Sequence, residues 1–412
     1  MDPIGPILVA LSAGSVGELA NWLVVAWRVR RELRDTPYVR AALAGPAPAA
    51  WPMVSVVVPA HNEQRVAAAC ARSILASDYP ALELVFVLDR CTDGTRAALE
   101  PIAASDPRLR IVDNGTCPAD WAGKCNAARV GAGNARGELI LFTDADTWFD
   151  PALVRASVQL LLARGWGMLS LLSSPTHRHW FENVVQPVTS FWLLKLFPIS
   201  RANAGEQRRS FANGQFMLFR RQAYEAIGGH AAVKDDLLED LGFARRLKQD
   251  GVGQGVGVGD GMLVVSMYDS WRGFRDGWRR IYIECCRRSP RRMRTQALQL
   301  LGLGLLAPIL RTAAVVVGAL VLVGVAGDAA GDPGLRTAAI AAVAAGVAAW
   351  ALRTTVLTVI YRAARFPAWS ALLWSPAAVA VAGFFLRGAA ELRARTPVRW
   401  GGRAYVLEPT DH

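Results

Sequence analysis

Ile4 to Trp27 holds one acid, Glu18, and no base, and its other residues are apolar, small or weakly polar. About 20 such residues span a bilayer. A backbone in lipid can satisfy its own polar groups only as a helix or a closed barrel. Three further apolar stretches, roughly 298–325, 337–361 and 369–386, lie toward the other end. The chain is therefore expected to have membrane helices at both ends and a polar middle held against a bilayer.

Arg28, Arg30, Arg31 and Arg34 follow the first stretch directly. Charges placed after the apolar run are the reverse of a secretory signal. By the positive-inside rule they keep the middle of the chain in the cytoplasm, at a bacterial-type inner or plasma membrane. The tail also carries Arg387, Arg393, Arg395, Arg399 and Arg403 and should be cytoplasmic. One N-terminal span and three C-terminal ones would put it outside. Either residues 298–310 form a re-entrant or interfacial piece, or one apolar stretch does not cross. Arg311 lies within the first C-terminal stretch, and an intramembrane arginine is costly enough to hint at function.

The net charge of +12 comes mostly from arginines beside these stretches. That placement suits anionic headgroups, and with no nucleic-acid motif present, no nucleic-acid partner is expected. The six cysteines have neither metal spacing nor a secreted disulfide pattern, and are expected as reduced thiols.

Between the ends, strands and helices alternate. Val54–Val58 reads as a strand stopped by Pro59, and Leu84–Leu88 as a second strand ending at Asp89. Arg110–Val112 is a third, and Leu139–Phe142 a fourth that runs into Asp144 and Asp146. Helices are expected near 65–77, after Thr95, over 125–133 and over 241–248. This alternation argues for an α/β fold, a mixed and mostly parallel sheet with helices on both faces. Each strand brings polar groups to one edge: Asn62 and Glu63, Asp89, Lys124, then Asp144 with Asp146. In such sheets ligands gather beyond the carboxyl ends of the strands. A carboxylate there can accept from a nucleobase or ribose, a lysine can neutralise phosphate, and two carboxylates on one side of an extended backbone can hold Mg2+ or Mn2+. Taken singly, each of these residues reads equally well as ordinary surface.

Downstream, Phe181–Phe197 is strongly apolar and aromatic, suiting an interfacial helix, the wall of a lipid groove or a buried core helix. The run Asp235-Asp236-Leu237-Leu238-Glu239-Asp240 precedes a helix. The helix dipole favours carboxylates there and would keep Asp240 ionised, as a general base must be; capping is the structural alternative. Gly251–Gly261 is rich in glycine but never spells a phosphate loop. Trp271 to Arg294 reads as a basic, aromatic helix on the membrane surface, with a solvated basic face as the plainer reading.

The ordered set Val57-Val58-Pro59-Ala60-His61-Asn62-Glu63, Asp89, Thr92-Asp93-Gly94-Thr95, Gly123-Lys124, Asp144-x-Asp146 and Glu239-Asp240 resembles the family-2 glycosyltransferases with the GT-A fold. Four features are similar to membrane enzymes that glycosylate lipids, namely the hopanoid-associated and carotenoid-acid glycosyltransferases and, more distantly, ceramide glucosyltransferase. These are Trp121-Ala122-Gly123-Lys124; Glu182-Asn183-x-x-Gln186-Pro187; Gly214-Gln215 with Gly228-Gly229-His230; and the tail from Val398 to Tyr405, including Trp400, Gly401, Gly402 and Arg403. The resemblance implies a nucleoside-diphosphate sugar donor, UDP-sugars favoured, held by Pro59, Asn62, Glu63, Asp89, Lys124, Asp144 and Asp146. It implies Mg2+ or Mn2+ on Asp146 and Asp144, and Asp240 as the base that activates a lipid hydroxyl. Gly214, Gln215, Glu239, Trp271, Trp278, Arg279 and Arg280 are candidates for the acceptor or the diphosphate. The Q-x-x-R-W motif of processive synthases has no strict match in Arg275-x-x-Trp278-Arg279-Arg280.

The expected division is a transmembrane helix over 1–30, a linker over 31–52 and a cytoplasmic catalytic domain over 53–268. An interfacial helix over 269–296, transmembrane segments over 297–388 and a basic tail over 389–412 complete it. The expected activity is inverting transfer of a sugar to the hydroxyl or carboxyl of a membrane lipid. A polyprenyl-phosphate sugar synthase and a catalytically silent membrane scaffold are the alternatives.

Overall fold

The computed structural model describes residues 4–204, 210–234, 236–325, 332–400 and 403–410. Asp235, Gly401 and Gly402, singled out above, lie outside the described residues, as do the side chains of Arg399, Trp400 and Arg403.

The chain begins with one long helix, α1 (Ile4–Asp35). A parallel-stranded half follows: β1 (Val54–Ala60), α2 (Ala67–Leu75), β2 (Leu82–Asp89), α3 (Thr95–Ser105), β3 (Leu109–Asn114), α4 (Gly123–Asn134) and β4 (Leu139–Thr143). Next come β5 (Thr147–Phe149), α5 (Leu153–Ala163), β6 (Met168–Leu172), β7 (Ser174–Pro175), α6 (Trp180–Val184), α7 (Gln186–Leu196) and α8 (Ile199–Asn203). Then β8 (Phe216–Arg220), α9 (Arg221–Ala226), α10 (Glu239–Gln249), β9 (Gln254–Val258) and β10 (Leu263–Val265) complete the sheets. The main sheet has the order β3-β2-β1-β4-β8-β6-β9, and β5-β10-β7 form a second, smaller one. Only β8 runs antiparallel to its neighbours in the main sheet. The mixed, mostly parallel sheet expected from the sequence is present.

Successive strand residues face opposite ways, and both faces are covered. Val56, Val58, Phe86, Leu88 and Leu141 pack with α2, α3 and α5, while Val57, Val85, Val87, Ile140 and Phe142 pack with α4 and α10. This is why the strands read as continuous apolar runs. In β9, a Cβ on Gly255 would fall 2.1 Å from the Trp166 ring, so the glycine there makes room for an indole.

Three local expectations need correction. Pro59 does not stop β1, which pairs with β2 as far as Ala60. On its other side β1 pairs with β4 only to Val57, so the missing N–H at Pro59 costs the sheet nothing on that side. Asp144 and Asp146 do not lie on an extended backbone; residues 144–146 form the turn between β4 and β5. The basic helix is also not continuous. It is α11 (Trp271–Cys285), followed by Arg287 and Arg288, both left-handed at φ 55° and 53°, and then α12 (Pro290–Leu301).

From α12 the helix passes through a π-helical turn at Gly302–Leu306 into α13 (Ala307–Leu322). Then come α14 (Pro333–Ala363), α15 (Trp374–Arg393) and a terminal hairpin of β11 (Val398–Trp400) and β12 (Arg403–Tyr405). Four helices are long and apolar enough to cross a membrane: Ile4–Asp35, Pro290–Leu322, Pro333–Ala363 and Ala368–Arg393. They contact one another: Trp22 of α1 meets the ring of Trp374 of α15 at 6.0 Å, and Arg353 of α14 donates to Ser375 of α15 at 3.3 Å. α1 packs on α13 and α14, whereas α15 packs on α11, α12 and the π-helical turn. Between these groups and the sheets lies an aromatic core that includes Trp22, Phe181, Trp192, Phe274, Tyr282, Trp374 and Phe385. The stretch 31–52 is partly structural: Tyr38 bridges to Val258, and Val39 is buried in the main core.

Arg311 has a structural partner. Its Nη1 lies 2.5 Å from Oε1 of Glu18 on α1, and both side chains are almost fully buried. Breaking a buried pair from one side costs about 3–5 kcal/mol, because a charge is left uncompensated. Glu18→Gln is expected to lower the thermal midpoint in detergent sharply, and Glu18→Gln with Arg311→Met to recover much of the loss. A double variant no more stable than the single one would rule this account out.

Candidate active site

The residues at the strand ends are held by one another. The turn after β1 is tied to the turn after β2: Asn62, at φ 60°, accepts from the Thr92 N–H at 2.8 Å, and the Glu63 N–H donates to Thr95 Oγ1 at 2.8 Å. His61 Nδ1 lies 2.6 Å from the Asp89 carbonyl. Asp89 is buried and its carboxylate is already filled. Arg90 donates to both oxygens, at 3.1 and 2.6 Å, and Asn114 donates to Oδ1 at 2.9 Å. Sequence reasoning missed Arg90 and Asn114. The available signal for Arg90 was an arginine directly after a strand-end carboxylate.

Lys124, in the first turn of α4, is the hub. Its Nζ lies 2.8 Å from Asp144 Oδ1 and 2.7 Å from Glu239 Oε1. Burial works against its charge, but the two carboxylates prevail and hold its pKa well above the usual lysine value. Burial opposes the charge on Glu239 as well, and Lys124 nonetheless keeps that carboxyl below its ordinary pKa.

Asp240 sits beside this pair. Its Oδ2 accepts from the Gly214 N–H at 2.9 Å and its Oδ1 from the Leu241 N–H at 2.7 Å. Burial, followed by the adjacent Glu239 charge, raises its pKa to about 7. Burial and Glu239 thus work against the ionising effect expected of the helix terminus. Gly214 lies close against this group: a Cβ there would be 3.4 Å from atoms of Asp240, Glu239 and Lys124. Gln215 accepts at its carbonyl from Thr143 Oγ1 at 2.7 Å and at its side chain from Ser173 Oγ at 2.5 Å, fixing this loop to the end of β4.

Asp146 is half-buried, and its enclosed Oδ1 has no hydrogen-bond partner among the described residues. Burial, then Asp144, then Glu63 push its pKa well above the ordinary value. Glu63 is raised to about 7, by burial and then by Asp144, Asp269 and Asp93. The charges of Asp144 and Glu63 thus reach Asp146, although among the described residues no three acidic, histidine or cysteine side chains stand together as a metal site.

The candidates on α11 separate. Arg280 and Trp278 line the cavity described below, and Arg280 hydrogen-bonds Tyr268. Arg279 instead ties α11 to α15, 2.6 Å from Glu391 and 3.0 Å from Asp276. Trp271 stacks on Phe274 and belongs to the aromatic core, not to the cavity lining.

A cavity of about 1000 Å³ begins at Lys124, Asp144, Gly214, Gln215, Glu239 and Asp240. It continues past Phe191, Trp192 and Leu194 of α7 to Asn21, Trp22 and Val25 of α1, Gly302 and Leu303 of the π-helical turn, and Ile360 of α14. Phe181–Phe197 is thus two helices that contribute both to the buried core and to the cavity wall. Asn62, Glu63, Asp89 and Asp146 lie outside this cavity lining. Pro59 joins Lys124, Asp144, His230 and Glu239 around a much smaller void.

Residues 55–228 match the glycosyl transferase family 2 profile. The segment is a family-2 glycosyl transferase domain. The chain is 27% identical over 216 residues to a beta-monoglucosyldiacylglycerol synthase of Synechocystis, an alignment covering 49% of this chain and 42% of that protein. It is 32% identical over 148 residues to an N-acetylglucosaminyltransferase of Sinorhizobium fredii, covering 34% of each. The chain therefore spans less than half the length of these curated relatives. Among solved structures, a mannosyltransferase of Pyrobaculum calidifontis in complex with GDP-Man and Mn2+ aligns with a TM-score of 0.46 and 21% identity, over 84% of this chain and 98% of that one.

The Glu63 carboxyl gives a stability test. Unfolded, it loses its proton near 4.5; folded, near 7. The folded state therefore loses stability as pH rises through that window. In the presence of chelator, Glu63→Gln should have a higher thermal midpoint than the parent at pH 8. The two curves should converge as pH falls to about 4.5. Equal midpoints at pH 8 would show that Glu63 carries no such repulsion.

Proposed function

We propose that the protein transfers a sugar from a nucleoside-diphosphate sugar to a hydroxyl of a membrane lipid, with inversion. The observation that carries this reading is the single cavity joining Lys124, Asp144 and Asp240 to residues of α1 and α14. An acceptor with acyl chains among those helices can extend its polar end to Asp240. Likeness to a synthase of glucosylated diacylglycerol supports a lipid acceptor, and the family-2 domain supports a nucleotide-sugar donor.

Asp240 is the base in this reading. Its two backbone donors fix the carboxylate, and its pKa of about 7 is matched to removing a hydroxyl proton at neutral pH. As that proton leaves, the acceptor oxygen attacks the anomeric carbon from the face opposite the leaving diphosphate. One displacement gives inversion. Lys124 offers fixed positive charge at the donor end, and Arg280 on the opposite wall is placed to add more. Arg279 has no such part.

The unpartnered Asp146 oxygen, with Asp144 and Glu63 close enough to raise its pKa, fits a divalent cation. Asp146 and Asp144 would hold Mg2+ or Mn2+, which would supply neutralisation of the departing diphosphate. Glu63 extends the carboxylate set. Asp89, filled by Arg90, reads a nucleotide only with Arg90 as its other half.

The membrane arrangement follows from helix packing. α15 lies along α11 and α12, and half of its apolar window is buried inside the protein. Its start carries exposed Trp369, Leu372 and Leu373 nearby, as a helix resting against the bilayer surface would. In this reading α1, α13 and α14 cross and α15 does not, which returns the arginine-rich tail to the catalytic side. That side is the cytoplasm, by the arginines after α1. Thr410, whose N–H donates to the Arg288 carbonyl at 2.9 Å, keeps the tail near the α11–α12 break.

Asp240→Asn should lower turnover by about 10²–10⁴-fold while donor binding, followed by calorimetry, stays intact. In the parent enzyme kcat/KM should rise with pH through about 7 to a plateau. Retained turnover in the variant would remove Asp240 from the mechanism. For topology, a fluorescent protein that matures only in the cytoplasm should glow when fused after His412. Activity of a periplasm-dependent phosphatase at the same place would put α15 across the membrane.

A further inference from the structure

The cavity lining reaches the membrane-facing helices at Trp27 and Arg28 of α1 and at Gln299 of α12, which Lys195 of α7 contacts. Exposed apolar residues stand on both helices: Leu23 and Trp27 on α1, and Leu298 and Leu305 along α12 and the π-helical turn. The wall there also bears cations from three separate elements: Arg28 of α1, Lys195 of α7 and Arg201 of α8. Among the described residues none of the three has a carboxylate partner. Elsewhere in the cavity the pattern is different. Lys124 has two carboxylates, Arg31 reaches Asp35, and the one acid on the adjacent wall, Glu32, is occupied by the Ser200 N–H and hydroxyl.

Lys195 is a fixed point in this arrangement. Its Nζ donates to Gln299 Oε1 on α12 at 2.5 Å and lies 3.6 Å from the centroid of the Trp192 ring. Burial and the repulsion of Arg28 lower its pKa to about 8. Against these three cations the adjacent wall offers one carboxylate, Glu32, which leaves a positive balance.

We propose that Arg28, Lys195 and Arg201 bind the phosphate of an anionic lipid at the membrane mouth of the cavity. This rests on the lipid-acceptor reading above and narrows it: the acceptor carries a phosphate as well as the hydroxyl it presents to Asp240. The phosphate is anchored at the mouth, where Lys and Arg give charge-assisted bonds. The acyl chains lie against Trp27, Leu298 and Leu305, and the hydroxyl reaches inward. In this reading the hydroxyl, not the phosphate, is the nucleophile, and Asp240 takes its proton.

The test uses the full-length protein in detergent and native mass spectrometry. Dioleoyl phosphatidylglycerol should bind about tenfold more tightly than dioleoylglycerol, which has the same chains and no phosphate. Arg28→Gln with Lys195→Gln should erase that preference while leaving dioleoylglycerol and UDP binding unchanged, which also controls for folding. Arg28→Lys with Lys195→Arg should keep it. Millimolar inorganic phosphate should not displace the lipid; complete displacement would show a site for free anion and overturn the lipid assignment. Equal binding of the two lipids, or a preference surviving in the glutamine variant, would overturn the proposal. Sugar transfer to dioleoylglycerol with no phosphate preference would overturn it while sparing the transferase reading. A strong phosphatidylglycerol preference with no transfer to any lipid would support the mouth and sink the transferase reading instead.

Discussion

The site depends on one half-buried ammonium. Lys124 reaches from the start of α4 to Asp144 after β4 and to Glu239 at the start of α10, within 2.8 Å of both. A lone ammonium or carboxylate at this depth would be driven neutral. Here two negative charges and one positive are kept in place by one another. The arrangement also sets the charges around it unequally. Glu239 and Asp144 share Lys124, and their neighbours Asp240 and Asp146 do not. Of each pair, the carboxyl without a lysine has the raised pKa. Such splitting sets neighbouring acids apart: burial and Glu239 raise the Asp240 pKa to about 7, and Asp146 keeps an enclosed oxygen with no hydrogen-bond partner among the described residues.

A second constraint joins this site to the membrane. α11 is covered on one side by α6 and α7 and on the other by α15, through an aromatic core in which Tyr282 stacks on Phe385 at 4.0 Å. Its basic residues are therefore sorted. Arg279 spends its charge on Glu391 and Asp276 to fix α15, while Arg280, the next residue around the helix, turns into the cavity. Neighbouring arginines on one helix serve structure and site respectively because successive side chains point about 100° apart.

The strands and the order of their polar ends were legible in the sequence, since a sheet covered on both faces demands apolar runs, and turns demand polar residues. The assembly of Lys124, Asp144, Glu239 and Asp240 was legible only as a set, because no spacing in the chain states that α10 returns to α4. Three things were hidden for physical reasons. Asp144 and Asp146 sit on a turn, and two carboxylates one residue apart do not distinguish a turn from a strand. Arg287 and Arg288 break a helix through left-handed φ angles that arginine rarely adopts, so composition predicted continuity. α15 has the length and hydropathy of a spanning helix, and that pattern does not state that it packs on α11 and α12.

Asp89 lies at the strand end where the sequence puts it, with protein partners already on its carboxylate. A strand-end carboxylate reads as an acceptor waiting for a nucleotide, yet both of its oxygens are taken by Arg90 and Asn114. The Arg90 backbone is itself left-handed, at φ 49°, which folds its guanidinium back onto the preceding residue. Gly123 leaves the space for it: a Cβ there would lie 2.5 Å from Arg90 Nη2. A nucleotide approaching this edge meets a guanidinium pinned by a carboxylate. It must either displace Arg90 and expose Asp89, or accept from Arg90 and leave the pair intact. The second route keeps a buried charge neutralised throughout, and for that reason it is the less costly of the two.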